Sequence, residues 1–241
     1  MKKIFSILFA SLFLYYHSQA QVSSVGIRNE FNSISHYGSR QTGFEGLQTY
    51  STHNVNGSQF FNENWGTGSI TSQNKEVFSE GYLFLYDKVR QQLFVKQKDS
   101  NFVVLMDKNQ ISSFTINTDK PHLFLPASVY DAGNKNDFFE VLVQTGNYTL
   151  LKLIKATFEK ANPNDMEKVR QGIFEDAFVD HITYYIYHNN KLQKIALNEN
   201  SIRRAFKDQQ SVVDDFFATH ENDEITEDLL INLISQLKSM K

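Results

Sequence analysis

Gly81–Gln97 reads GYLFLYDKVRQQLFVKQ, two apolar segments joined by a charged cluster. Tyr82, Phe84 and Tyr86 alternate with Leu83 and Leu85, so both faces of the first segment are apolar. That pattern predicts a strand covered on two sides. Leu93 and Val95 resume it after Asp87-Lys88-Val89-Arg90. A short polar interruption between two β-patterned segments predicts a surface hairpin loop. An acid between two bases also suggests catalysis, but shifted pKa values need a concave, desolvated setting that a loop tip does not supply. The cluster is therefore expected to be a turn.

Working outward, the chain from Ser69 to Phe158 reads as consecutive strands. The candidates are Ser69–Gln73, Val77–Tyr86, Gln92–Gln97, Phe102–Asp107, Ile111–Asn117, Phe138–Gln144 and Thr149–Thr157, rich in Val, Ile, Phe, Tyr and Thr. Gly146-Asn147 supplies residues that tolerate positive φ and marks a hairpin, and Asn189-Asn190 marks another in HITYYIYHNNKLQKIAL. Turns recur about every 8 to 12 residues, without helical crossovers between strands. A short helix or a loop is expected around Asp165–Arg170.

The C-terminal end changes character. Asn198, Asp208 and Thr226 are placed to cap helices over Glu199–Phe206, Gln209–Thr219 and Glu227–Met240. In the last, Leu229, Leu230, Leu233, Ile234 and Leu237 share one face. The expected fold class is mainly β (α+β): an antiparallel meander, sandwich or partly open barrel with a C-terminal cap of three short helices. The β domain spans 62–197 and the cap 198–241.

At the other end, Lys2 and Lys3, the apolar IFSILFASLFLYY and the small residues Ser18 and Ala20 form the pattern of a secretory signal, 1–20, cleaved after Ala20. Its apolar run is short of the ~20 residues that cross a bilayer, so no transmembrane anchor is expected after cleavage. An arm over 21–61, rich in Ser, Asn, Gly and Tyr, is expected to be loosely structured. Loss of Lys2 and Lys3 from 24 basic residues leaves 22 against 27 acidic ones. Without a basic excess, nucleic-acid binding is not expected. The chain has no cysteine, which excludes disulfides, thiol catalysis and Cys-ligated metals.

The stretch from Asn62 onward resembles a group of uncharacterised secreted or periplasmic proteins of the Bacteroidetes. Its landmarks here are Trp65, Gly68, Tyr86-Asp87, the LFVK of Leu93–Lys96 and the SFTI of Ser113–Ile116, followed by FFEVLVQTGNYTLLK and the helical end KLQKIALNENSIRRAF to EDLLINLI. The group carries no established activity, so the resemblance implies location in the periplasm or outside the cell, and architecture.

Nothing in the residues points to a catalytic, cofactor-binding or metal site. His36, His53, His122, His181, His188 and His220 form no helical i, i+4 pair and no H-x-H pair with a nearby carboxylate. EDAFVDH gathers Glu175, Asp176, Asp180 and His181 and reads as an acidic loop leading into a strand. There is no G-x-S-x-G, P-loop or G-x-G-x-x-G. The stretch singled out for recognition is HITYYIYH. On a strand, Ile182, Tyr184 and Ile186 suit the core, while His181, Thr183, Tyr185 and Tyr187 offer an amphipathic aromatic surface for a partner or a sugar, or pack under a loop. The expected function is a non-catalytic binding or envelope-associated module without a cofactor, with an envelope or extracellular partner. The alternatives are an extracytoplasmic hydrolase with a dispersed site and a carrier of a small apolar ligand.

Overall fold

A computed structural model describes residues 55–131, 133–162, 164, 166–170 and 175–237. The expected signal sequence and residues 21–54 of the expected arm lie outside them. Three short strands come first: β1 (Val55–Asn56), β2 (Gly68–Ser72) and β3 (Val77–Phe78). Next, β4 (Tyr82–Asp87), β5 (Gln92–Gln97) and β6 (Val103–Leu105) form a small antiparallel sheet in that order. The remaining strands are β7 (Ile111–Asn117), β8 (Pro121–Pro126), β9 (Phe138–Gln144), β10 (Tyr148–Glu159), β11 (Asp176–His188) and β12 (Lys191–Ile195). They join the first three in one large sheet, ordered β1-β11-β10-β9-β8-β7-β2-β3, with β12 also on β11. Every ladder is antiparallel except β1 on β11. The chain is thus mainly β with helices near its C-terminus, and the sheets do not close into a barrel.

Several boundaries depart from the sequence reading. Val77–Tyr86 is two strands in different sheets, because Ser79–Gly81 turns the chain and Gly81 sits at φ +79°. β8 has no counterpart among the expected strands, since prolines at both ends spell a loop. They occupy its first and last positions, where a missing N–H does least harm to the ladder. Of the acidic EDAFVDH, Glu175 precedes β11 and Asp176–His181 are part of it, paired with β10 from Ala177 onward rather than forming a loop. The β9–β10 hairpin forms, but neither Gly146 nor Asn147 takes a positive φ. Thr145 closes it instead, its N–H and hydroxyl both bonding the Tyr148 carbonyl. Of the expected arm, Val55–Asn56 is β1 and Phe60 bridges to β4, as does Gly66 just beyond the arm. Trp65, half-buried beside that bridge, lies under the Lys96 ammonium at 5.1 Å.

The helices are α1 (Met166–Arg170), α2 (Glu199–Ala205), α3 (Gln210–Thr219) and α4 (Glu227–Leu237). Asn198 caps α2 by accepting from Ser201 N–H, and Thr226 Oγ1 accepts from Leu229 N–H at the start of α4. Asp208 is not a cap. It falls in a 3-10 turn, Lys207–Gln209, before α3 and bonds the Tyr148 hydroxyl at 2.6 Å. No described helix is long and apolar enough to cross a membrane.

Three apolar clusters hold these layers together. The small sheet packs Phe84, Tyr86, Leu93 and Val95 on Ile70, Phe114, Ile116, Phe124 and Phe138 of the large one. Phe114 and Phe124 stack there at 4.7 Å. On the same face, α2, α3 and α4 cover Leu150 and Ile186 with Ile202, Phe216, Leu230, Leu233 and Ile234. The opposite face carries the third and smallest cluster, Ala127, Phe139, Leu151 and Leu153.

Candidate functional site

The four residues singled out for recognition share one face of β11 but not one environment. Tyr185 and Tyr187 belong to the third cluster, with rings 5.2 Å from Phe139 and 4.9 Å from Tyr130 respectively. Burial raises the pKa of Tyr185, helped by Asp137, and burial likewise raises that of Tyr130. Further along, Thr183 is half-buried and His181 is exposed, with Nε2 2.8 Å from Thr157 Oγ1. The other face splits at the same point. Ile186 is 2% exposed, but Ile182, assigned to the core by its alternation, is 48% exposed. The cause is cover: the helices reach Ile186 and Tyr184 and stop short of Ile182.

The hairpin tip of the opening stretch is buried, which corrects its reading as a surface loop. Asp87 is fully buried, Lys88 5% exposed and Gln91 3% exposed. One Asp87 oxygen accepts from Val89 and Arg90 N–H, the other from Gln59 Nε2 at 2.7 Å and the Arg90 guanidinium at 3.2 Å. Lys88 reaches the large sheet, where its ammonium meets both Asp180 oxygens at 2.6 and 2.7 Å. Gln91 donates to the Lys88 and Ile154 carbonyls and accepts from the Tyr86 hydroxyl. Desolvation, reinforced by Asp137 and Asp87, holds the Tyr86 hydroxyl well above its ordinary pKa. The polar residues are solvated by protein rather than by water. They dock the small sheet on β10 and β11.

A second polar group was not anticipated from the sequence. Glu140 faces Phe124 on β8 and Lys152 on β10, and Lys152 in turn faces Tyr184 on β11. With His122, two residues from Phe124, they form a row across the sheet, between the small sheet and the helical cap. His122 Nδ1 lies 2.6 Å from Glu140 Oε1, and Nε2 lies 3.4 Å from the exposed Asp119. Lys152 sits 3.6 Å from Glu140 Oε2, which has no hydrogen bond, and 2.8 Å from Glu227 of α4. Glu227 also accepts from the Tyr184 hydroxyl at 2.9 Å. Burial and Glu227 push the Tyr184 pKa up. The signal in the sequence was a lone charge in each of two apolar strands, FFEVLV and LLKLI.

A buried carboxylate on Nδ1 with Nε2 turned outward is how a general base is oriented. Among the described residues, however, Nε2 has no hydroxyl on it to activate. No group of three His, Asp or Glu side chains among them is placed to hold a metal. A groove of about 620 Å³ runs between α2 and α3 along Asn200, Arg203, Arg204, Lys207 and Asp214. Arg203 is neutralised there by Glu199 and Asp214. No family model, curated protein or solved structure matches the chain.

Proposed function

We propose that the protein is an exported, non-catalytic binding module that meets its partner at the middle of β11. The observation that supports this is the uncovered stretch His181–Thr183. It lies in a 13-residue strand inside the sheet, yet the helical cap, the small sheet and the Tyr130 loop all leave it open. His181 and Thr183 open on one face of the strand and the exposed Ile182 on the other, so the stretch offers hydrogen-bonding groups and apolar area on its two sides, the mixture that interfaces favour. Export is supported by the signal-like N-terminus and by the resemblance to secreted proteins.

Fractionation of the native host followed by crosslinked pull-down tests this reading. A specific partner is expected in the envelope or extracellular fraction, and His181→Ala with Ile182→Ser should release it. Recovery of no partner, together with turnover of a substrate panel, would overturn it. The His122–Glu140 pair favours a second reading, an extracytoplasmic hydrolase using His122 as base. Hydrolysis abolished by His122→Ala in a protein that still folds would decide for that reading.

A further inference from the structure

Among the described residues, the middle of β11 has a ladder partner on one side only. β10 runs along one edge from Ala177 to His188. On the other edge β1 pairs with Asp176 and Ala177, and β12 with Tyr184–His188. Val179–Thr183 is left between them. Gly57 creates the gap, because at φ +76° it turns the chain away just after β1, and a Cβ there would lie 2.4 Å from the Phe178 carbonyl oxygen.

Ladder parity shows which backbone groups face this notch. Asn189 and Asn190 both adopt left-handed φ, 49° and 57°, so β11 and β12 join through a type I′ turn flanked by a hydrogen-bonded pair, His188 and Lys191. Counting back in twos, the N–H and C=O groups of Tyr184, Ile182 and Asp180 point to the β12 side. The other edge agrees. Ala156, opposite Asp180, donates its N–H to Lys88, and the Ile154 carbonyl, opposite Ile182, accepts from Gln91. Both β10 residues bond away from β11, so Asp180 and Ile182 bond away from β10. Two donors and two acceptors line the open edge.

We propose that this notch takes a short extended segment of another protein as an added strand. The inference rests on the binding-module reading and names its partner class. Backbone groups spaced as in a ladder recognise another extended backbone, with alternate side chains supplying specificity. Five positions, Val179 to Thr183, span about 16 Å, room for a strand of about five residues. The flanking β1 and β12 keep out the long edge of a second copy. A protected edge carries lysine, proline or an inward charge; the charge in this notch, Asp180, is taken up by Lys88, and beside it stand His181, a 48% exposed Ile182, and Thr183. Exposed Lys191 and Lys194 stand at the β12 end and exposed Glu175 near the other. The fitting segment has an apolar residue beside Ile182 and its acidic end toward β12.

Panning the full chain against a displayed library of random eight-residue peptides tests this, with affinities read by fluorescence anisotropy. Ile182→Pro removes an N–H that faces the open edge and no bond to β10, so the fold should tolerate it. It should weaken the selected peptides by about tenfold or more. Ile182→Lys, which blunts the edge but keeps the N–H, should also weaken them and serves if the proline variant does not fold. Bound peptide should slow amide exchange at Asp180 and Ile182 and leave Tyr185, bonded to β10, unchanged. Peptide binding undiminished in both variants, or protection elsewhere, overturns strand addition. So does self-association that Ile182→Lys abolishes. Failure to select any peptide while the host partner is still recovered also overturns it, leaving the binding module standing. Peptides held at the notch with no partner recovered from the host would support strand addition and count against an envelope partner.

Discussion

Gln91 is 3% exposed and at φ 55°, yet its side chain serves four groups: the Lys88 and Ile154 carbonyls, the Tyr86 hydroxyl and Phe138 N–H. Gln91→Leu would leave all four dry, and the expected loss is about 2–4 kcal/mol, read from urea unfolding. Asp119 offers a contrasting test at the surface. Hydrogen bonds from the Thr118 hydroxyl and then His122 lower its pKa to about 2. A carboxylate depressed in the folded state stabilises above its unfolded pKa, and that contribution fades as pH falls from about 4 towards 2. Asp119→Asn should therefore flatten the stability curve across that window, as followed by thermal unfolding at stepped pH. Single residues were where the sequence was least legible. Asp87, Lys88 and Gln91 are polar in either setting, and composition does not say whether water or protein satisfies them. Glu140 and Lys152 were readable as odd charges in apolar strands, but their alignment depends on register.

At the scale of elements, β2 depends on a close approach. A Cβ on Gly68 would lie 2.1 Å from the Thr115 carbonyl oxygen and 3.2 Å from the Phe84 ring. Backbone cannot move aside as a side chain can, so Gly68→Ala should push β2 off β7 and loosen the small sheet. A loss above about 3 kcal/mol is expected in denaturant titration. Gly81→Ala, whose Cβ meets nothing within 4 Å, should cost only the strain of its positive φ, about 1–2 kcal/mol. The helices were legible because caps and apolar stripes are local signals, and Asn198 and Thr226 bond as those signals imply. Asp208 misled because its carboxylate serves Tyr148, a partner 60 residues away. β8 was hidden by its prolines, and the break in Val77–Tyr86 by an apolar pattern that continues on both sides of Gly81.

Across the whole molecule, the mainly β class and the C-terminal helices were legible in spacing and periodicity. Strand order was not, because placing β2 between β3 and β7 requires partners distant in sequence. Five tyrosines, Tyr86, Tyr130, Tyr148, Tyr184 and Tyr185, have raised pKa values, with burial the largest cause in each. Raised values mean the folded state holds those protons more tightly, so stability is intact below pH about 10 and falls as pH rises beyond it. Absorbance near about 295 nm should show these phenols ionising together with loss of structure rather than before it. Trp65 gives the molecule a built-in optical reporter. As the chain's one tryptophan, it stands beside the small sheet under Lys96, outside the apolar cluster that the helices cover and that circular dichroism follows. Its fluorescence therefore follows one core and dichroism the other. Because the hairpin tip bonds both β10 and β11, the two signals should trace a single superimposable melting curve. Lys88→Met, which cuts the ion pair to Asp180, should pull them apart, with the tryptophan signal leaving first.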